Sequence, residues 1–273
     1  MDRTNEAIRI GIGGWVYEPW RGRFYPTGWQ QRRELEFASR HVTSIEINST
    51  YYAAQKPETY VRWRDAVPED FVFSAKAPKR ITQSRRLSAT GSQVDAFLGD
   101  LANLRNTLGP VVWQLDRNAR VDRDDFTGFL ELLPDALDGR RLRHVLDVRD
   151  AAFVNADYVA LARARGMAIV HTDAPDLPQL ADLTADFVYA RLMRSRAWIA
   201  TGYPDDELDA WARMARRWAH GEDPAELPHV SPVAAAQTQP REVFLYFISA
   251  AKERNPASAM ALLAKLGIET SGM

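Results

Sequence analysis

The chain has 273 residues, 46% apolar and 26% charged, with a mean hydropathy of −0.35, which is enough apolar surface for a large core and excludes disorder for most of its length. Lys plus Arg number 35 against 36 Asp plus Glu, a net charge of −1, so no global positive field drives nonspecific binding to nucleic acid. With no cysteine there is no disulfide scaffold, cysteine-ligated zinc, iron–sulfur cluster or thiol nucleophile; without a leader-type apolar stretch after Met1 or a membrane-length apolar run, the sequence reads as soluble and cytoplasmic.

Short runs rich in Val, Ile, Phe and Tyr alternate with stretches of helical period, the rhythm of strand–helix units around a parallel sheet. Eight strands are expected, at Ile8–Gly13, Ser44–Asn48, Phe71–Lys76, Pro110–Leu115, Arg143–Val148, Met167–His171, Asp186–Leu192 and Glu242–Ile248. Helices are expected at Arg32–Arg40, Glu58–Ala66, Ser92–Asn106, Asp122–Leu133, Asn155–Arg165, Pro204–Ala219 and Pro256–Leu266. The sixth crossover, Pro175–Ala185, is too short and Pro-containing for a full helix. Asn255 before Pro256 reads as an N-cap, and Gly166 and Gly267 suit C-terminal caps. The expected fold is α/β, one (β/α)8 TIM-like barrel over 1–273 with a short or missing sixth helix; the competitor is an open doubly wound sheet. Gly11, Gly13 and Gly14 lack the G-x-G-x-x-G spacing of a dinucleotide site. The Ala-, Pro- and Glu-rich stretch 221–240 reads as a mobile loop on the N-terminal face, away from any chemistry.

Strand alternation sorts the polar residues onto one face. Ser44, Glu46 and Asn48 share a side of the second strand, opposite Ile45 and Ile47. Ser74 and Lys76, Asp147 and Arg149, and Tyr189 and Arg191 do the same on the third, fifth and seventh. All are expected inside the barrel near its C-terminal rim, where barrel active sites gather. Glu46 and Asp147 are the candidate general base or acid, with Lys76, Arg149 and Arg191 orienting an anionic group. The alternative is a buried ion-pair network in which Glu46–Arg149 or Asp147–Arg191 satisfy one another. Asn48, Gln114, Asp173 and Tyr189 complete the candidate lining.

Basic residues also follow the strands: Lys79, Arg80, Arg85 and Arg86 after the third, Arg194 and Arg196 after the seventh, Lys252 and Arg254 after the eighth. Loops seven and eight often form a phosphate site beside a helix start, so Arg194, Arg196 and Asn255–Pro256 suit an anion. The expected partner is therefore a small anionic ligand, phosphorylated or not; a single nucleic-acid strand held by the basic rim and the aromatics Trp15, Trp20, Tyr51, Tyr52 and Trp198 is the alternative, and a non-catalytic scaffold a third. Those aromatics equally suit plugs closing the barrel top. His171 and Asp173 share an alternating face, which allows a histidine held in one tautomer by a carboxylate. The other histidines do not converge with it, so no metal site is assigned, and no G-x-S-x-G motif marks a serine hydrolase. These residues assign no cofactor and no oligomeric state.

The segments Ile10-Gly-Ile-Gly-Gly-Trp15, Trp20-Arg-Gly-Arg-Phe-Tyr-Pro26 and Ile45-Glu-Ile-Asn-Ser-Thr-Tyr-Tyr52 together resemble the YecE-like family, a domain of unknown function. Further matches follow at Trp63, Phe73-Ser-Ala-Lys-Ala-Pro78, Arg86-Leu87, Gly109-Pro110, Gln114-Leu115, Asp147-Val-Arg149, Thr172-Asp173 and Phe187-Val-Tyr-Ala-Arg-Leu192. The resemblance implies a one-domain TIM-like barrel and no assigned reaction. It also shows departures. Thr82-Gln83 stands where the family has Thr-His, Arg149-Asp150-Ala-Ala-Phe153 for Arg-His-x-x-Trp, Arg191-Leu192-Met193-Arg194 for Arg-Leu-His-Gly, and Phe247-Ile248-Ser249 for Phe-Asn-Asn. If those polar groups carry the family's chemistry, this member uses another substrate or has lost the reaction.

Overall fold

The computed structural model describes residues 7–117, 122–232 and 240–272. Among them, eight parallel strands close a barrel: β1 (Ile8–Gly13), β2 (Ser44–Ile47), β3 (Val72–Lys76), β4 (Leu108–Gln114), β5 (His144–Asp147), β6 (Ala168–Thr172), β7 (Phe187–Leu192) and β8 (Glu242–Phe247). Each pairs with its sequence neighbours, and β1 closes the ring against β8 with Gly11 opposite Tyr246. The closed ring settles the choice against an open doubly wound sheet. Around it lie α1 (Glu34–Ala38), α2 (Pro57–Asp65), α3 (Gly91–Leu101), α4 (Arg123–Glu131), α5 (Ala156–Ala164), α6 (Asp205–Ala219) and α7 (Asn255–Leu266). The crossover from β6 to β7 carries no helix, as its prolines and length imply. A two-stranded hairpin, Ala136–Leu137 with Arg140–Arg141, precedes β5.

The helices follow their sequence signals. Asp122 caps α4 by accepting from the backbone of Asp124 and Asp125, and Asn155 caps α5 by accepting from Tyr158 N at 2.9 Å. In α6 the buried residues Leu208, Ala212, Ala215 and Ala219 repeat at helical spacing, with Asp205, Asp206 and Glu207 in the first turn and Arg216 and Arg217 in the last, matching the helix dipole. Gly267 ends α7 in the left-handed conformation, at φ 68°. Two expectations need correction. The Arg32–Arg40 helix is a 3-10 turn at Gln31–Arg33 followed by the short α1; Arg33 leaves helical geometry where its carbonyl accepts from Trp29 Nε1 at 3.0 Å. Asn255 lies inside α7 and caps nothing: its side chain accepts from Ser195 Oγ at 3.0 Å and donates to Ser249 O.

Outward strand positions such as Ile10, Ile45, Ile47, Phe73, Trp113 and Leu245 form the main core beneath the helices. Inside the ring, Val112, Val145, Ala168, Val170, Phe187, Tyr189, Phe244 and Tyr246 form a second cluster that fills its lower and middle levels. The inner face is therefore largely apolar and tyrosyl through its middle, and the Glu46–Arg191 cluster stands above this at the C-terminal end. Gly11 makes room for the Tyr246 ring: a Cβ there would lie 2.3 Å from Ser44 O and 2.9 Å from Tyr246 Cδ1. Gly11→Ala is expected to destabilise by about 2–3 kcal/mol in urea denaturation, because backbone cannot yield as a flexible side chain does; an unchanged midpoint would contradict this packing.

The described residues 221–232 follow α6 and lie on the N-terminal side, before β8. Asp182 accepts from Val230 N and Ser231 N, and Pro228 O accepts from Ala181 N, joining that stretch to the helix-free crossover. Residues 233–239 of the expected mobile loop lie outside the described residues, as do Met1–Glu6, on which the leader reading rests. Among the described residues no helix is long and apolar enough to cross a membrane.

Candidate functional site

The polar level is made by the last residues of neighbouring strands. Lys76, Gln114, Asp147 and Thr172 end β3, β4, β5 and β6, while Glu46 and Arg191 stand one residue before the ends of β2 and β7. Because alternation puts every second side chain inside, this common height gathers them around one point. Arg191 is its centre. The guanidinium gives Nε and Nη2 to Glu46 Oε2 at 3.0 and 2.7 Å, and Nη1 to Asp147 Oδ2 at 2.5 Å and Gln114 Oε1 at 3.1 Å. Tyr189 donates its hydroxyl to the same Glu46 Oε2 at 2.6 Å and lies 2.8 Å from Ser74 Oγ. Arg149 reaches Asp147 Oδ2 at 3.3 Å through Nη2.

Glu46 is fully buried, and its carboxylate is used on one side only. Oε2 receives three bonds, while Oε1 is buried with no hydrogen-bond partner among the described residues. Burial opposes the charge on Arg191, but Glu46 and then Asp147 outweigh it and hold the guanidinium firmly protonated. Tyr189 is pushed far up by burial and by Glu46, so it remains a phenol that donates.

Lys76 is different. Burial, then Arg191, bring its ammonium down from 10.5 to about 8, against the opposing pull of Glu46. It makes no ion pair among the described residues and lies 3.8 Å from the centroid of the Tyr51 ring. Tyr51 is carried over the barrel by the helical turn Ser49–Tyr52, and its hydroxyl accepts from Gln83 Nε2 at 3.1 Å, which also donates to Asp116 Oδ2 at 3.0 Å. Glu46 and Asp147 thus face Lys76, Arg149 and Arg191, with Asp116 held beside Tyr51 at the rim.

The structure brings together Glu46, Lys76, Gln114, Asp147, Arg149, Tyr189 and Arg191, and the pairing in both carboxylate bridges runs through Arg191, not Glu46–Arg149. Asn48 sits at the edge, donating to Glu46 O at 3.3 Å. Asp173, Arg194 and Arg196 are elsewhere. Asp173 accepts from Met193 N and the Tyr203 hydroxyl, Arg194 is exposed, and Arg196 pairs with Glu207 at 2.6 Å. Nor does His171 meet Asp173. Thr172 takes the inward position, so His171 points outward against Trp211 and Trp218, with Nδ1 on Leu180 O at 3.1 Å; burial brings it down to about 4. Of the aromatics, Trp20 is buried and Trp15 packs edge-on to Trp63 at 5.0 Å, both in the main core outside the ring, whereas Tyr52 and Trp198 are 72% and 82% exposed.

Sequence reasoning missed Tyr246, Gln83 and Asp116 as participants. Tyr246 bonds Ser44 Oγ at 2.7 Å and carries the same inward alternation as Phe244, a signal present in the strand. Gln83 and Asp116 lie in loops, where alternation is silent. No group of three or more His, Cys, Asp or Glu among the described residues has the arrangement to hold a metal ion.

Comparison with known proteins agrees with this architecture. The chain is 33% identical over 108 residues to the UPF0759 protein YecE of Escherichia coli, a match covering 40% of this chain and 37% of that protein, and 29% identical over 79 residues to the UPF0759 protein YunF of Bacillus subtilis. It thus spans little more than a third of the length of the first of these curated relatives. Crystal structures of DUF72 family proteins from Enterococcus faecalis and Thermotoga maritima superpose with TM-scores of 0.71 and 0.68 at 15% and 17% identity, each over at least 95% of both chains. A glycoside hydrolase family 5 enzyme from Prevotella bryantii, at TM-score 0.50 and 9% identity over 96% of this chain, shares the barrel alone. The family profile described as "Protein of unknown function DUF72" matches residues 9–273, and the chain belongs to that family, the YecE-like proteins.

Proposed function

We propose that the C-terminal mouth of the barrel binds a small anionic ligand between Lys76 and Arg149 and transfers a proton within it. The observation that carries this reading is the situation of Lys76. Arg191 is consumed by Glu46 and Asp147, Arg149 makes long bonds to Asp147, and the half-buried Lys76 makes no ion pair among the described residues, so its ammonium is left for an anion at the mouth to meet. An uncompensated, partly desolvated cation is costly unless something negative meets it. Asp147 acts as a positioning residue, its Oδ2 shared by two arginines. Glu46 is the proton acceptor, since one of its oxygens is anchored and the other retains a free lone pair.

The rim favours a small ligand over a nucleic-acid strand. Arg196 is paired with Glu207, Arg254 donates to Ala197 O at 2.9 Å, and Lys252 lies over the Tyr17 ring at 4.5 Å, leaving those cations committed to the protein. The test is calorimetric titration with oxalate. Affinity is expected to fall about tenfold or more as pH rises from 6.5 through 8 to 9.5, because Lys76 loses its proton in that interval. The Lys76→Arg variant is expected to bind with little pH dependence. Absence of oxalate binding at any of these pH values would overturn the reading.

A further inference from the structure

We propose, resting on the anion-site reading above, that Lys76 forms an imine with a carbonyl group of the bound ligand, which makes the substrate class an oxo acid or a similar carbonyl-bearing anion. Three features of the site point there. Lys76 is the only amine in the cluster, at the end of β3, and its nitrogen is packed against the face of Tyr51 instead of being tied to a carboxylate. Arginine cannot be a nucleophile at accessible pH, whereas an amine can once it has lost its proton. The groups acting on it are Arg191 and Arg149, which favour the neutral amine, and Glu46 and Asp147, which favour the cation; desolvation joins the arginines, and the balance keeps both forms available near pH 8.

The chemistry closes without an external oxidant or reductant. The ammonium first releases a proton to solvent; the neutral amine attacks the carbonyl carbon, a proton moves from nitrogen to the former carbonyl oxygen, and that oxygen leaves as water after taking one proton back from solvent. The product is a protonated imine. It places a positive charge where the ammonium had it, so Glu46 and Asp147 stabilise the iminium as they stabilise the lysine. An iminium also acidifies the adjacent carbon, the kind of proton that the unengaged oxygen of Glu46 is suited to accept.

Five lysines in the whole chain, Lys56, Lys76, Lys79, Lys252 and Lys265, make the test well resolved. The protein is treated at pH 8 with glyoxylate and sodium cyanoborohydride, which reduces an imine to a stable secondary amine, and peptides are mapped by mass. Lys76 is expected to be modified about tenfold faster than any other lysine. Oxalate, an anion without a reactive carbonyl, is expected to protect it. Lys76→Arg should retain oxalate binding with no label at that position, and Arg149→Gln should bind oxalate more weakly and label more slowly. If oxalate binds in a manner that depends on Arg149 but Lys76 is modified no faster than Lys79, the imine inference is overturned and the anion site stands. If oxalate neither binds nor protects, both fall together.

Discussion

Replacing Arg191 with methionine is expected to destabilise the protein by about 3–5 kcal/mol, the largest loss at any single position in the barrel mouth. The cause is the arrangement around it, not the arginine alone. Glu46 and Asp147 are buried, and the guanidinium supplies two of the three hydrogen bonds to Glu46 Oε2 and the shortest one to Asp147. Without it, two carboxylates are left in a low-dielectric interior with only Tyr189, Arg149 and the more distant Lys76 to oppose them. The double variant Arg191→Met with Glu46→Gln should lose less than the two single variants summed, since the second change removes a charge that the first had stranded. Urea denaturation at pH 7 measures both. A loss below about 1 kcal/mol for Arg191→Met would mean that the carboxylates do not depend on it.

Lys76→Met is expected to act in the opposite direction on stability while weakening the proposed binding. Its folded-state pKa is brought down from 10.5 to about 8, so between these values the unfolded chain holds more protons than the folded one. By linkage, wild-type stability gains from this group as pH rises from 8 to 10.5, and below pH 8 the chain carries the full burden of a desolvated cation. Methionine fills similar space without the charge. Lys76→Met should therefore be about 1–2 kcal/mol more stable than wild type at pH 7, with the advantage fading as pH approaches 10.5. Oxalate affinity should fall about tenfold or more at pH 7 in the same variant. Parallel denaturation series at pH 7 and 10 check the first expectation and calorimetry the second; a variant less stable at pH 7 that keeps its affinity would remove Lys76 from the site.

The barrel was legible because its strands are short runs rich in Val, Ile, Phe and Tyr set between stretches of helical period, and their alternation separates polar from apolar positions. That patterning placed Glu46, Asp147 and Arg191 on the inner face correctly. Of the two ion pairs it offered, Asp147–Arg191 forms, whereas Glu46 pairs with Arg191 and not with Arg149. Arg191 reaches Glu46 across a separation of 145 residues and Asp147 across 44, and such pairings depend on ring closure and side-chain reach, not on local pattern. The choice of inward face also misled on β6: Ala168, Val170 and Thr172 point inward, so His171 and Asp173 are turned out, and Asp173 is held by Met193 N and the Tyr203 hydroxyl. Asn255 misled for a related reason, since its carboxamide finds Ser195 across the loops after β7 and β8 and so is drawn inside the helix instead of capping it. The helix Arg32–Arg40 shows local competition, where the Trp29 indole takes a carbonyl and tightens the first turn.

The most direct measurement of the central claim is the position of a heavy anion in crystals grown in selenate. The anomalous selenium signal is expected at the C-terminal mouth, in contact with Lys76 and Arg149 beneath Tyr51, and to disappear in Lys76→Met crystals of the same form. Selenium found only on the outer surface or at the opposite end of the barrel, with the mouth empty at the same selenate concentration, would contradict the claim that these side chains form an anion site.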